Sequence, residues 1–179
     1  MPTITRTAVV VGNPKPASRT ALAGRALAAV IAPETEPDVV ELAELTGGLF
    51  TWGDPAVAAA KKTVLEADLL VVASPVYKAS YTGLLKAFLD QFGRDELGAL
   101  ATVPLMVGAA PLHALAVEEQ LRPVLVEIGA SCPTRGLYVL ESALGDDRVA
   151  LDAQLDGWAQ LWVPAVLAVA AARTPVGVG

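Results

Sequence analysis

The sequence predicts an α/β fold, a parallel sheet covered by helices on both faces. Three observations carry that reading. Five short apolar runs alternate with five helix-like segments along the 179 residues, the order expected when helices return the chain between parallel strands. Runs such as VVV and LLVVA are continuously apolar, as strands buried on both faces are. Apolar residues make up 54% of the chain and aromatic ones only 5%, a composition suited to close-packed layers. The length fits one ordinary domain. Length and strand count favour the order 2-1-3-4-5 over a fold built from two dinucleotide-binding halves.

The elements follow in order. Thr3 to Val11 is β-branched and apolar and reads as the first strand; the loop GNPKPAS and an Ala/Leu-rich helix from Arg19 to Ile31 come next. Pro37 to Leu42 supplies a short second strand. TGGLFTWGD leads to a helix from about Pro55, with Asp54 as N-cap and Pro55 at the first helical position, both preferred at helix starts. Asp68 to Ala73 is the third strand and Thr82 to Phe92 the third helix. Val103 to Gly108 and Leu112 to Ile128 form the fourth pair. Gly136 to Leu140 is the fifth strand, and Asp147 to Ala172 a helical region that Pro164 should break or kink. The domain is expected over residues 1–174, with 175–179 a loose tail.

Composition excludes several classes. A net charge of −6 and a pI of about 4.7 argue against a nucleic-acid surface. Cys132 is the one cysteine, so an internal disulfide or a CxxC motif is absent. A single His and no clustered carboxylates argue against a metal site. Twenty residues from Gly98 to Val117 carry no charge, the length a membrane span needs. Pro104, Gly108 and Pro111 interrupt them, and proline inside a helix costs about 3 kcal/mol, so the stretch reads as a buried strand and turn. The N-terminal apolar run is too short for a secretory signal. The expected location is the cytoplasm, without a membrane partner.

In sheets of this order the ligand sits beyond the carboxyl ends of strands 1 and 3, so the loops of interest are 12–20, 74–83 and 108–113. GNPKPASRT is neither GxxxxGK[ST] nor GxGxxG, which removes support for triphosphate hydrolysis and for the usual pyrophosphate turn. Gly12-Asn13 and Ser74-Pro75 stand where a phospho-acceptor receiver needs acids, and GxSxG is absent. What remains is Ser18, Arg19 and Thr20 at a helix start, where amides, hydroxyls and a guanidinium can hold an oxyanion. Taken alone, Ser18 reads first as a helix cap. Met1 to Ala32 contains no acid but has Arg6, Lys15, Arg19 and Arg25; Leu69 to Leu89 is also acid-free and carries Lys78 and Lys86. Two such segments with converging loops imply an electropositive site for a phosphate-bearing ligand.

SPVYKASYTGLLKAFLD is similar to the S/T-P-x-Y-x-x-S-x-x-G-x-L-K stretch of the NAD(P)H-dependent FMN reductase family. GNPKPASRT resembles that family's phosphate loop, and GAAPLHALAVEEQLRPVLVEIGA its fourth strand-to-helix junction, especially in reductases feeding two-component sulfonate monooxygenases. The likeness runs from about Val9 to Ser142. It implies a flavodoxin-like three-layer sandwich binding FMN, with NADPH as hydride donor and NADH as the alternative. Ser18, Arg19 and Thr20 would hold the phosphate; Pro75, Val76, Tyr77 and Lys78 would line the ring. Gly108 and Ala109 would approach from the fourth strand, with His113 nearby. No side chain is needed as acid or nucleophile, because the flavin carries the hydride chemistry. Lys78 or a basic residue of a neighbouring subunit is a candidate for the 2′-phosphate.

Three functions are implied. The first is an FMN reductase supplying reduced flavin to a partner monooxygenase. The second is a flavoprotein that retains FMN and reduces a quinone, azo compound or other acceptor. The third is a flavodoxin-type electron carrier. The sulfonate-type reductases often carry an aromatic or His where this chain has Glu119, a departure that weighs on the flavin shuttle. Pro123 cannot donate to the Glu119 carbonyl, so a local helix irregularity is expected there. The family implies a homodimer or homotetramer. Leu84, Leu85, Phe88, Leu89 and Phe92 are expected to divide between core and a subunit interface.

Overall fold

The computed structural model describes residues 4–145 and 147–173. Five parallel strands form one sheet, β1 (Thr7–Val11), β2 (Asp38–Glu41), β3 (Leu69–Pro75), β4 (Ala101–Gly108) and β5 (Leu137–Leu140), in the order β2-β1-β3-β4-β5. The register places Val10 between Val40 and Val72, and Leu105 between Ala73 and Leu137. All the residues of β1, β3 and β4 are buried, which is why their sequences do not alternate.

Helices α1 (Arg19–Ile31) and α5 (Val149–Ala172) cover one face; α2 (Pro55–Leu65), α3 (Gly83–Leu89) and α4 (Arg122–Glu127) cover the other. Successive strand residues divide between them. Val9, Val71 and Leu105 face α1 and α5, whereas Val10, Val72 and Met106 face the opposite layer, the period-two rule of a strand.

Local chemistry sets the boundaries. Ser18 caps α1 by accepting from Ala21 N, Asp54 caps α2 by accepting from Ala56 N and Val57 N, and Thr82 caps α3 by accepting from Leu85 N. Pro104 lies in a central strand, where proline is rare. Thr102 N donates to Ser131 O, so by strand alternation position 104 also points toward the β5 side. There the β4–β5 ladder starts only at Leu105–Leu137. The missing N–H falls in a gap.

Three expectations are corrected. The helix predicted from Leu112 to Ile128 is in pieces: a 3-10 turn at Pro111–His113, a π-turn at Val117–Leu121, and α4. Of the break or kink expected at Pro164, the break does not occur, since α5 continues to Ala172. Gln160, whose carbonyl loses its donor, and Pro164 are both on the exposed side, where water can serve. Leu85, Phe88, Leu89 and Phe92 are buried in the core, and only Leu84 is half-buried. The tail expected at 175–179 lies outside the described residues.

The amino-terminal end of the sheet is tied by two charged side chains bound to backbone. Asp68 accepts from Thr5 N (2.8 Å), Thr5 Oγ1 (2.7 Å) and Arg6 N (3.0 Å). Arg173, just past α5, donates to the carbonyls of Ala67, Leu65 and Leu97. Burial pushes the Asp68 carboxyl upward, but those donors and the nearby Arg173 charge outweigh it and hold the carboxyl below its ordinary value.

Candidate active site

Loops leave the carboxyl ends of β1, β3 and β4, which are neighbours in the sheet, and hydrogen bonds to backbone stitch them together. Gly12 N donates to Ala73 O (2.8 Å), Thr82 Oγ1 donates to Gly12 O (2.6 Å), and Val76 N donates to Val107 O (2.8 Å). A Cβ on Gly12 would fall 2.7 Å from Leu85 Cβ, so only glycine lets the first loop lie this close to α3.

The first loop spends most of its donors internally. Pro14 and Pro16 have no amide hydrogen. Lys15 N donates to Asn13 Oδ1 (2.9 Å), and Ala17 N, at φ 49°, donates to Glu41 Oε1 (3.2 Å). Among the described residues the amides of Ser18, Arg19 and Thr20 have no protein acceptor. These three donors stand at the positive end of a 13-residue helix. Arg19 is exposed, whereas Thr20 is buried and its hydroxyl accepts from Asn13 Nδ2 (3.0 Å).

The second loop is a two-residue hairpin. Tyr77 N donates to Ser80 O (2.8 Å) and Ser80 N to Tyr77 O (3.1 Å), with Lys78 at φ 53° and Ala79 at φ 63°. Both central residues are left-handed, as a type I′ turn requires, although Asn-Gly is the preferred pair. Pro75 is buried, Val76 half-buried, Tyr77 52% exposed, and Lys78 exposed. In the third loop Gly108 is buried and ends β4, Ala109 is exposed, and His113 is half-buried in the 3-10 turn.

The charges differ from the acid-free pattern in one respect. Arg6 pairs with Glu66 (3.0 Å), Arg25 lies 4.0 Å from Glu36, and Lys86 pairs with Asp90 (2.5 Å). Lys15, Arg19 and Lys78 make no ion pair among the described residues. One acid does enter. Glu41, from the end of β2, binds the Ala17 amide beside the first loop.

The π-turn sits between the third loop and α4. Arg122 N donates to Val117 O, five residues back, where Pro123 prevents an ordinary α-helical ladder. Glu119 is exposed on this turn. Glu118 anchors it: its carboxylate meets Arg122 Nε (2.6 Å) and the Gly136 amide (2.5 Å), and Arg122 also donates to the carbonyls of Cys132 and Thr134. Burial raises the Glu118 carboxyl, and these donors reverse that and lower it. Burial pushes the Cys132 thiol up to about 11, which suits packing and not chemistry.

Four residues that organise the loops are not among the candidate site residues: Asn13 and Thr82, which lie inside the quoted motifs, and Glu41 and Tyr138, which lie outside them. Asn before Pro-Lys is a recognisable Asx-turn signal, and Thr-Gly before an apolar run is a cap signal. Glu41 and Tyr138 act across strands, and their contacts leave no local pattern. Two concavities flank the loops. One of about 640 Å³ runs beside α1 and touches Ala17, Ser18 and Glu41; another of about 440 Å³ follows β5 and touches Pro111, Ala114 and Tyr138.

The family profile described as NADPH-dependent FMN reductase matches residues 5–145. The chain belongs to the NADPH-dependent FMN reductase family. It is similar to an FMN reductase (NADPH) of Pseudomonas aeruginosa, with 34% identity over 142 residues covering 74% of this chain and 75% of that one. It is 36% identical to the NADH-dependent FMN reductase SfnF of Pseudomonas putida over 95 residues, 53% of this chain and 51% of the relative. The chain spans about half the length of several curated relatives it matches. Among solved structures, an apo NADH:FMN oxidoreductase (EMOB) superposes with a TM-score of 0.72 at 30% identity, over 87% of this chain and 89% of that one. The fold of this FMN reductase family member is therefore the flavodoxin-like sandwich expected from its sequence.

Proposed function

We propose that the protein is a cytoplasmic NAD(P)H-dependent FMN reductase whose reduced flavin serves a partner monooxygenase. The carrying observation is the set of unspent donors at the start of α1, the amides of Ser18, Arg19 and Thr20, with Lys15 and Arg19 unpaired beside them among the described residues. That donor set fits a phosphate dianion. The flavin would supply the hydride-accepting centre, and the chain would supply binding and orientation.

The residues take roles accordingly. Ser18, whose oxygen is occupied as a cap, keeps its hydroxyl hydrogen for the phosphate; Arg19 adds charge, and the Thr20 amide completes the cradle. Pro75, Val76, Tyr77 and Lys78 line the ring from one side. Gly108 and Ala109 bring backbone to it from the other, with His113 behind them. Lys78 is exposed on a two-residue hairpin turn and is the candidate for a 2′-phosphate. The relatives' names divide between NADH and NADPH, so NADH is tested alongside.

The open disposition of Tyr77, Lys78 and Ala109 supports flavin exchange. Glu119, exposed on the π-turn, is the observation that favours the retaining flavoprotein instead. Self-association is supported by surface composition: Phe50, Trp52, Leu115 and Val126 are exposed apolar residues belonging to the layer of α2, α3 and α4 or its loops. A homodimer or homotetramer would cover them.

The deciding experiment mixes purified protein, FMN and excess NADPH without oxygen and follows the flavin's visible absorbance. Bleaching of many equivalents of free FMN supports the shuttle. If only flavin that came with the protein bleaches, the retaining reading replaces it. No bleaching with either coenzyme leaves an electron carrier and removes the reductase.

A further inference from the structure

The third loop offers backbone to the proposed site, yet Gly108, Ala109 and Ala110 carry no side chain able to fix that backbone. The anchor comes from the neighbouring strand. Tyr138 of β5 lies opposite Met106, and its hydroxyl reaches along β4 to donate to Ala110 O at 2.6 Å. A Cβ at position 108 would overlap the Tyr138 hydroxyl oxygen and lie 2.9 Å from its Cζ. The phenol thus occupies the space that glycine leaves. Gln154 of α5 holds the same strand from behind, donating Nε2 to Tyr138 O at 2.7 Å.

The rest of that side is open. The concavity of about 440 Å³ along β5 is bordered by Pro111, Ala114, Tyr138 and Leu140, so the loop leans there on the phenol and not on a packed core. After Ala110, Pro111 offers no amide hydrogen, and the Ala110 carbonyl receives only a long bond from His113 N (3.4 Å) in addition. The Tyr138 hydroxyl is therefore the short bond that sets where this peptide lies.

We propose that Tyr138 is a positioning residue of the flavin site, its hydroxyl fixing the backbone of residues 108–110 against the isoalloxazine. This role rests on the flavin-reductase reading above. Gly108 and Tyr138 form a matched pair in which each constrains the other. No proton transfer is assigned to the phenol.

The test compares wild type, Y138F, G108A and the double variant for FMN affinity by flavin fluorescence quenching and for steady-state FMN reduction. Y138F keeps the ring and loses the donor. Its Kd and KM for FMN should rise roughly five-fold, the effect of one lost hydrogen bond, with kcat within about two-fold. G108A should weaken FMN more. In the Y138F background the added methyl meets less obstruction, so the double variant should bind FMN better than the product of the single losses allows. A purely structural role would lower the flavin-free urea midpoint of Y138F and leave its FMN Kd unchanged; that outcome overturns the proposal, as does strict additivity in the cycle. If wild type neither binds nor reduces FMN, the reductase reading itself is refuted and Tyr138's role falls with it.

Discussion

Replacing Lys78-Ala79 by Asn-Gly should make the protein more stable and a poorer enzyme. Both residues are exposed, Lys78 makes no ion pair among the described residues, and both hold positive φ, 53° and 63°. The left-handed conformation costs a residue with a Cβ roughly 1 kcal/mol or more. Asn tolerates it and Gly adopts it freely, although Gly returns about 0.5–1 kcal/mol to the unfolded chain as entropy. The net gain for K78N/A79G is thus about 1 kcal/mol, a rise in Tm of about 2–4 °C for a chain of this size. Urea unfolding without flavin is the assay, with an unchanged slope and a higher midpoint expected. The same variant lacks the Lys78 cation, so KM for NADPH should rise more than KM for NADH. An unchanged or lower midpoint would show that the turn is not strained and refute the reasoning. Equal effects on both coenzymes would separate Lys78 from the 2′-phosphate.

Three further outcomes are expected. Asp68 has a folded pKa below its unfolded value, so its contribution is complete above the unfolded pKa and disappears as pH falls through the folded one. The Tm difference between wild type and D68N should accordingly be constant at neutral pH and shrink below about pH 4, as thermal scans across pH will register. T82V removes the α3 cap and the donor to the buried Gly12 carbonyl, which should cost about 2–4 kcal/mol by denaturant titration and weaken FMN binding as well. Cys132, with its thiol raised to about 11, should resist iodoacetamide at pH 8 in the folded protein and react once unfolded; prompt labelling of native protein would contradict the burial.

Much of the fold is legible from short runs of residues. The strand VVV, the cap Asp54-Pro55 and the cap Ser18 are each decided within four residues, and the structure has them where local chemistry puts them. The fourth helix is less legible. Its irregularity is written in Pro123, but only packing decides that the chain answers with a π-turn tied through Glu118 and Arg122 to the segment before β5. Pro164 does not break α5, because the carbonyl it leaves without a donor is on the exposed side, where water can serve. Within the site, the loop positions follow from strand order alone. Glu41 and Tyr138 do not, since each works on a neighbouring strand's loop across the sheet, and nothing in the residues around them announces such a partner.

The ties made by Asp68 and Arg173 give the two ends of the sheet different tolerances. At the amino-terminal edge, charged groups clasp main-chain atoms from Thr5, Arg6, Leu65, Ala67 and Leu97, joining segments far apart in the chain by charge-assisted bonds. At the opposite edge the loops are held to one another, Gly12 to Ala73 and Thr82, and Val76 to Val107, so a change in one is felt by its neighbours. Substitutions in those loops leave the Asp68 and Arg173 ties in place, so sequence change at one pole is separable from the charged clasps at the other.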